Sequence, residues 1–310
     1  MNSPKILVAG NSVVDLFFLG KSLQEREKNN RLSLALGGKY IVDEFFQYFG
    51  GGGANAAISL SRQGFPVTIW SNLGDDVFAR QIVKHLKKEN INSDLIKFKA
   101  EKTPISAILL TPEGEKTIIT YRSNADLLEF DAKTQEEITK NKWFALFSLP
   151  KCPKEKKLIF LKTAKKSDCK IFLSLHGMEY LKGLDYLKNY LSYCDILHLN
   201  AHELADIFGS DAADLNFYKT NFAQKLKLPL LLVTYDIHGN FAYTQENIYY
   251  QPIVKVKKVI DTTGAGDAFA AGFLGKYLKT NSIKEGLAFG ARNAASVIEN
   301  LGAQNGLLYD

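Results

Sequence analysis

The sequence has few of the residues that build disulfide frameworks and metal centres. It contains three cysteines in 310 residues, Cys152, Cys169 and Cys194, and no Cys-x-x-Cys pair. This pattern excludes a disulfide scaffold and a cysteine-based zinc site, and it indicates a reducing compartment. The five histidines form no His-Glu-x-x-His motif, so a zinc hydrolase is also excluded.

Long hydrophobic runs and strong charge are missing too. The most apolar run, 228–233, is interrupted by Pro229, and the first ten residues lack the apolar core of a signal peptide. We therefore expect a cytoplasmic protein without a membrane partner. The net charge of +6 suits phosphate-bearing ligands but is too small for a nucleic-acid-binding surface. Lysines crowd residues 151–170, where interleaved apolar residues predict the solvated face of a helix.

From residue 140 onward, short apolar runs alternate with amphipathic stretches. The runs predict strands at 143–147, 170–175, 196–199 and 230–234. The stretches predict helices at 155–167, 181–191, 201–208, 215–226, 267–278 and 283–300. Nearly continuous apolar strands separated by helices are typical of a parallel sheet covered on both faces. The sequence therefore predicts an α/β sandwich.

The first part of the chain does not follow this pattern. Residues 106–110 and 117–121 flank Pro112-Glu113-Gly114-Glu115, a turn sequence that predicts a hairpin. We expect the early segments, at about 13–50 and 95–125, to form a small second sheet that serves as a lid. The whole chain, 1–310, is then one domain.

A motif near the C-terminus carries the strongest chemical signal. Asp261-Thr262-Thr263-Gly264-Ala265-Gly266-Asp267 follows a β-like run at 253–260 and precedes a predicted helix. Small residues at a helix start leave backbone N–H groups free to bind an anion. A carboxylate beside such a site is suited to deprotonating a hydroxyl that attacks a phosphoryl group. A glycine-rich turn with an aspartate cap is the alternative.

A second glycine-rich motif lies early in the chain. Gly50-Gly51-Gly52-Gly53-Ala54-Asn55 leads into a helix, so its backbone can approach a ligand closely while Asn55 offers an amide to hydroxyls. A flexible turn is the alternative. The late motif has Phe269 where a dinucleotide fingerprint needs a third glycine. A Walker A loop is excluded because Gly38-Lys39-Tyr40 and Gly275-Lys276-Tyr277 lack its hydroxyl residue.

Together, the early Gly-Gly-x-x-x-Asn and the late Asp-Thr-Thr-Gly-Ala-Gly-Asp resemble the ribokinase-like carbohydrate kinases, the phosphofructokinase B family. The resemblance covers essentially the whole chain. It implies a three-layer α/β sandwich with a mostly parallel central sheet and a small β-sheet lid. It also implies transfer of the γ-phosphate of ATP, with Mg²⁺, to a hydroxyl of a sugar, sugar derivative or nucleoside.

The resemblance assigns roles to individual residues. Asp267 becomes the catalytic base, and Gly264, Ala265 and Gly266 the anion hole. The implied substrate site contains Asn11, Asp15, Gly51, Gly52, Asn55 and, in Tyr121-Arg122-Ser123, the side chain of Arg122. The implied nucleotide site contains Asn200, Glu203, Thr234, Gly239, Gly264, Gly266 and Asn293, with Glu203 placing Mg²⁺.

Several of these assignments have alternatives. For Asn200 and Glu203 the alternative is a structural role, with Asn200 as a helix N-cap and Glu203 as its capping-box partner. Asp236 stands where the family has a glycine, so its carboxylate either turns outward or alters nucleotide affinity. A K⁺ site near Asp261 is a further implication of the resemblance.

The substrate is left open among fructose-like, ribose-like and ketodeoxygluconate-like sugars. Arg122 suits a carboxylate or a phosphate, and a surface arginine at the end of a lid strand is the alternative. An adenosine-like nucleoside is the alternative, because the early aromatic residues are suited to stacking on a nucleobase. The other interpretation is that these residues pack within the lid or form a homodimer contact. A non-catalytic binding or regulatory protein is the third hypothesis.

Overall fold

The computed structural model describes residues 3–24, 27–28, 31–111, 116–124, 127–175 and 177–310. The strands are β1 (Ile6–Ala9), β2 (Val13–Leu19), β3 (Glu27–Lys28), β4 (Arg31–Leu32), β5 (Glu44–Gly50), β6 (Val67–Trp70), β7 (Asn72–Gly74), β8 (Lys97–Lys99), β9 (Ile105–Leu110), β10 (Lys116–Tyr121), β11 (Trp143–Leu146), β12 (Lys170–Leu173), β13 (Ile196–Asn200), β14 (Leu230–Thr234), β15 (Asn240–Thr244) and β16 (Ile248–Gln251). The helices are α1 (Lys21–Gln24), α2 (Gly52–Arg62), α3 (Val77–Lys88), α4 (Ala132–Lys140), α5 (Lys154–Lys166), α6 (Gly177–Tyr180), α7 (Gly183–Leu191), α8 (Ala201–Phe208), α9 (Phe222–Leu226), α10 (Ala265–Thr280) and α11 (Ile283–Ile298).

A large sheet of eight strands forms the middle layer, in the order β16-β15-β14-β13-β12-β11-β1-β6. The strands from β14 to β6 are parallel, whereas β15 and β16 add an antiparallel edge. Alternate residues of β1 enter different cores: Leu7 and Ala9 pack with α5, α7 and α8, while Ile6 and Val8 pack with α2, α3, α10 and α11. The three-layer, mostly parallel sandwich is therefore confirmed.

A second sheet of four strands, in the order β10-β9-β2-β5, is called the lid sheet below. Its strands lie within the two segments predicted for a lid. Phe17, Ile108 and Leu110 form its own small core. The predicted hairpin is confirmed, because β9 and β10 pair antiparallel from Lys116–Leu110 to Tyr121–Ile105. Its turn, 112–115, lies outside the described residues.

Two sequence-based predictions of elements are wrong. The β-like run 253–260 is irregular and mostly exposed, since β16 ends at Gln251 and Pro252 has no N–H to continue a ladder. The predicted helix 215–226 is broken: a 3₁₀ turn ends at Lys219, and the side chain of Asn221 then caps the short α9. Local capping therefore overrode the apolar periodicity.

The lysine-rich helix α5 is solvated along most of one face, but Lys157 departs from this pattern. Its side chain is 1% exposed and pairs with Glu179 at 2.8 Å. Tyr190 donates a hydrogen bond to the same carboxylate. In the described part of the chain, no helix combines the length and the apolar character needed to cross a membrane.

Candidate active site

The site forms where the carboxyl ends of parallel strands meet. Asn11 lies just after β1, and Asn200 ends β13 in register with Thr234 at the end of β14. The first turns of α2 and α10 come together at this edge, where Asn55 Nδ2 donates to Asp267 Oδ2 at 2.9 Å. Ligands of open α/β sheets bind at this edge, so the fold places both glycine-rich motifs in a binding cleft.

The start of α10 is built to receive an anion. Gly264 caps the helix with φ 78°, and a Cβ there would lie 2.4 Å from the Cβ of Ala303. Glycine is therefore required at this position. Ala265 N donates to Thr262 O at 3.3 Å, whereas the amides of Gly264 and Gly266 have no hydrogen bond within the described residues. Together with the dipole of a 16-residue helix, these free donors favour a negatively charged ligand.

Asp267 lies in the first turn of this helix. Burial raises the pKa of its carboxyl, and the hydrogen bond from Asn55 partly opposes that effect. A Cβ on Gly52 would lie 3.4 Å from Asp267 Oδ1, so glycine at this position leaves the space beside the carboxylate open. A carboxylate of raised basicity beside free amides can accept a proton while the amides hold an anion.

Two of the predicted substrate residues, Asn11 and Gly51, lie against each other at the start of α2. Gly51 has φ 95°, and a Cβ there would lie 2.6 Å from the carbonyl oxygen of Asn11. Asn11 is buried, and its side-chain oxygen has no hydrogen-bond partner in the described part of the chain. A ligand hydroxyl would satisfy such an acceptor.

Asp15 is 5% exposed, and its carboxylate lies next to Gly50 of the early glycine motif. Burial raises the pKa of its carboxyl to about 6 and the Asp261 carboxylate adds to that effect, whereas Ser106, Arg122 and Lys116 oppose it. The charges of Arg122 and Lys116 therefore act on the substrate side of the cleft.

One nitrogen of the Arg122 guanidinium lacks a partner in the described part of the chain. This nitrogen, Nη1, is buried, and the described residues do not include 125 and 126. The carbonyl oxygen of Arg122 accepts a hydrogen bond from Lys151 Nζ at 2.6 Å. The cleft thus holds a guanidinium suited to a carboxylate or a phosphate.

Asn200 and Glu203 form the capping box of α8. Asn200 Oδ1 accepts from Glu203 N at 2.9 Å, and Glu203 Oε2 accepts from Asn200 N at 2.8 Å. Burial raises the pKa of Glu203 to about 7, with a contribution from Asp206. Oε1 has no hydrogen bond within the described residues. A single carboxylate with a free oxygen fits Mg²⁺, which commonly takes one or two carboxylates and completes its shell with waters and phosphates.

The segment from Thr234 to Gly239 turns tightly after β14. Asp236 adopts φ 39°, in the left-handed region where glycine is easiest and aspartate is tolerated. Its side chain is 72% exposed, with one oxygen 3.5 Å from Nε2 of His202. The carboxylate therefore turns outward while the backbone keeps a conformation suited to glycine.

The structure contradicts the prediction that Asn293 contacts a nucleotide. Its side chain is fully buried. Nδ2 donates to Ser59 Oγ and Ala268 O, and Oδ1 accepts from Leu308 N. With its polar atoms engaged inside the protein, Asn293 ties α11 to α2, α10 and the C-terminal segment.

The residues around Asp261 do not fit the K⁺ ion that the resemblance implies at this carboxylate. Oδ1 accepts from Lys116 Nζ at 2.6 Å and from Thr263 N at 3.0 Å. Oδ2 accepts from Gly302 N at 3.2 Å. The ammonium group of Lys116, which comes from the lid sheet, already supplies a positive charge there.

Sequence reasoning missed two residues of this region. Lys116 is a single lysine at the start of a lid strand, and nothing in its neighbourhood predicts a contact 145 residues away. Gln304 lies just beyond the predicted helix 283–300, and its Nε2 donates to Asn55 Oδ1 at 2.9 Å. Only the tertiary structure identifies them.

Comparison with known proteins agrees with this geometry. Residues 18–308 match the sequence profile of the pfkB family carbohydrate kinases. The chain is 27% identical over 282 residues to the ATP-dependent 6-phosphofructokinase of Thermoanaerobacterium thermosaccharolyticum, covering 88% of this chain and 85% of that protein. It is 27% identical to the 5-dehydro-2-deoxygluconokinase of Listeria innocua (82% of each chain) and 25% identical to the nucleoside kinase of Methanocaldococcus jannaschii (98% and 93%).

Among solved structures, Arabidopsis thaliana ribokinase in complex with ribose and ATP superposes with a TM-score of 0.81 at 22% identity. The match covers all of this chain and 96% of that one. At this identity the likeness supports the three-layer fold with its second small sheet.

Proposed function

Because the chain belongs to the pfkB family of carbohydrate kinases, we propose that it transfers the γ-phosphate of ATP to a hydroxyl of a sugar or sugar derivative. The observation that carries the proposal is the position of Asp267. Its carboxylate lies in the first turn of α10, beside the free amides of Gly264 and Gly266 and within hydrogen-bond distance of Asn55.

In the proposed reaction, Asp267 accepts the proton of the attacking hydroxyl. The hydroxyl oxygen forms a bond to the γ-phosphorus, and the bond from that phosphorus to the β–γ bridging oxygen breaks, releasing ADP. The free amides at the start of α10 stabilise the charge on the transferring group. Closure of the lid sheet over the cleft would exclude water.

Nucleotide and metal are proposed to bind at the ends of β13 and β14. Thr234, Gly239 and Asn200 line that edge, and Glu203 would hold Mg²⁺ together with the phosphates. When bound, Mg²⁺ supplies positive charge to the phosphate oxygens.

For the acceptor, we favour a sugar that carries a carboxylate or phosphate group. Arg122 and Lys116 both act on Asp15, and Arg122 Nη1 lacks a partner in the described residues. Two of the relatives, a 6-phosphofructokinase and a 5-dehydro-2-deoxygluconokinase, are named for modified sugars. A neutral fructose-like or ribose-like sugar is the next choice.

A nucleoside acceptor is the alternative. It is supported by a nucleoside kinase that aligns over 98% of this chain. Against it, the lid aromatics pack on one another: Phe17 is buried against Tyr48 at 5.8 Å, and Phe18 lies 5.3 Å from Phe45.

We propose no requirement for K⁺, because Lys116 occupies the Asp261 carboxylate. Two further proposals concern the cellular state. The three buried free cysteines support a cytoplasmic location, which cell fractionation would test. Exposed apolar side chains on the lid sheet support a homodimer.

The experiment is ADP release from Mg²⁺-ATP with a panel of acceptors: ribose, fructose, ketodeoxygluconate, sugar phosphates and nucleosides. We expect turnover with an anionic sugar and a decrease of about 10²- to 10⁴-fold in Asp267→Asn, which removes the base. Asp185→Asn, at an exposed position on α7, is the matched control and should keep full activity.

Two outcomes would overturn the proposal. Full activity in Asp267→Asn would exclude this carboxylate as the base. Binding of ATP and sugar without turnover in the wild type would indicate the third hypothesis, a non-catalytic binding protein. Turnover with nucleosides alone would change the acceptor class and leave the reaction type intact.

A further inference from the structure

A chain of three hydrogen bonds runs from the surface helix α3 to Asp267. His85 Nε2 lies 2.9 Å from Gln304 Oε1. Gln304 Nε2 donates to Asn55 Oδ1 at 2.9 Å, and Asn55 Nδ2 donates to Asp267 Oδ2 at 2.9 Å. The four side chains come from α3, the C-terminal segment, α2 and α10, so the tertiary fold alone brings them together.

Only one direction of donation is consistent along this chain. An ionised carboxylate only accepts, so Asn55 must present its NH₂ to Asp267 and its oxygen to Gln304. Gln304 must then present its NH₂ to Asn55 and its oxygen to His85. His85 Nε2 must therefore carry a proton, which it does in one neutral tautomer and in the imidazolium form. Turning either amide around would break two hydrogen bonds.

Gln304 is held firmly enough to impose this order. It is 5% exposed, and Asn55 is 3% exposed, so water does not readily replace either partner. The carbonyl oxygen of Gln304 accepts from Arg62 Nη1 at 3.2 Å. Arg62 also pairs with Glu89, which anchors the C-terminal segment to α2 and α3.

We propose that Gln304 is a positioning residue for the reaction: it fixes the Asn55 amide so that this amide donates to Asp267. The inference rests on the proposed role of Asp267 as the base. Without Gln304, Asn55 is free to rotate and to turn its oxygen toward the carboxylate, which favours the protonated form of Asp267. Loss of Gln304 should therefore make the base available only at higher pH.

Another titratable group packed against the start of α10 is His198, whose ring lies 5.8 Å from Phe269 and whose pKa is lowered to about 4 by burial. Asn55 is the one side chain, in the described part of the protein, that perturbs the Asp267 carboxyl besides burial. At the far end, His85 is flanked by the ion pair of Glu89 with Arg62 and by the ring of Phe49, at 5.1 Å. Protonation of His85 leaves its Nε2–H in place, so the proposal does not make His85 a pH switch.

The test compares the pH dependence of kcat in the wild type, Gln304→Glu and Gln304→Leu. A glutamate accepts from both His85 and Asn55, which reverses the Asn55 amide. We expect the acid limb of kcat to move up by about one pH unit, or about a tenfold loss on the acid side of the limb, with recovery at higher pH. Leucine should shift the limb in the same direction by less.

Asn305→Asp is the matched control. It adds the same charge one residue later, where the Asn305 side chain is exposed and bonds only to Leu301 O among the described residues. Its profile should match the wild type. An unchanged acid limb in both Gln304 variants, whatever the loss of kcat, would overturn the proposal, because a packing defect lowers kcat without moving the limb. If Gln304→Glu does not fold, the position of the acid limb in Gln304→Leu decides whether the proposal holds.

A readout without turnover separates this inference from the proposed function. The Asp267 carboxyl carbon can be followed by ¹³C NMR as pH changes, with its signal assigned by its loss in Asp267→Asn. A higher Asp267 pKa in the Gln304 variants would support the positioning role even if no acceptor is phosphorylated. An unchanged Asp267 pKa would refute it even in an active kinase.

Discussion

At the residue scale, three carboxyl groups of the cleft share one property. Burial raises the pKa of Asp15 to about 6 and that of Glu203 to about 7, and it raises the pKa of Asp267 as well. Perturbed carboxyls concentrate at functional sites because such sites exclude water while keeping charged groups. In the proposed reaction, Asp267 and Glu203 act as carboxylates.

A pH dependence follows from these values. A carboxyl with a raised pKa takes up its proton as the pH falls through that raised value, so activity is lost on the acid side. We expect kcat/KM to decline as the pH falls through about 7, where Glu203 protonates, and more steeply near 6, where Asp15 protonates. Initial rates at subsaturating substrates measure this.

The nucleotide provides the control for this prediction. A bound cation beside Glu203 favours its charged form. At saturating Mg²⁺-ATP, Glu203 should therefore no longer contribute to the acid limb of kcat, which is then set by Asp267. A kcat/KM that stays constant from pH 7 to below 6 would contradict the assignment of these carboxyls.

At the element scale, the lid strand β10 is tied to the loop that precedes α10. Lys116 Nζ contacts Asp261 Oδ1 at 2.6 Å and Thr263 Oγ1 at 2.8 Å. Asp261 is 3% exposed, so its carboxylate needs a partner of opposite charge. The ammonium thus stabilises the loop that supplies the anion hole.

We predict that wild-type rates are the same in potassium chloride and in choline chloride. Lys116→Met should lower activity by about tenfold, since a charged hydrogen bond to a buried partner is lost. Its Tm should fall, and K⁺ should restore part of both. Lys140→Met, on the exposed face of α4, is the control. A wild type activated by K⁺ would show that Lys116 does not take the place of the ion.

At the scale of the whole molecule, the lid sheet has apolar side chains in solvent. Ile119 on β10 is 60% exposed and Phe45 on β5 is 54% exposed, and the strand register places both side chains on the same face of the sheet. Apolar residues grouped on one sheet favour a protein contact. A second copy of the chain would cover them.

We therefore expect light scattering to give twice the chain mass of 34.6 kDa. Ile119→Lys should yield the monomer by placing a charge in the contact. Ile159→Lys, on the partly exposed α5, is the control and should remain a dimer. A wild type that stays monomeric at high concentration would reject the lid contact.

Much of the sandwich was predictable because its strands are short and almost wholly apolar. All four residues of β1 and the first four of β14 are buried, and such runs have few alternatives to a covered parallel sheet. The antiparallel edge was not predictable, since β15 and β16 differ from parallel strands only in their pairing. The strand prediction for 253–260 was wrong because alternating apolar residues do not ensure that a neighbouring strand is available for pairing.

The sequence alone determined the two glycine motifs and the carboxylate they surround, because those functions depend on residue types at fixed local spacing. Positive φ at Gly51 and Gly264, and free amides at a helix start, are local properties. Tertiary structure decided which distant side chains complete the cleft. Asn293 is buried and donates a hydrogen bond to Ala268 O. Lys116 Nζ binds the Asp261 carboxylate, and Gln304 Nε2 donates to Asn55 Oδ1. These contacts depend on how helices and strands pack. The distance between side chains far apart in the sequence cannot be predicted from the residues next to each of them.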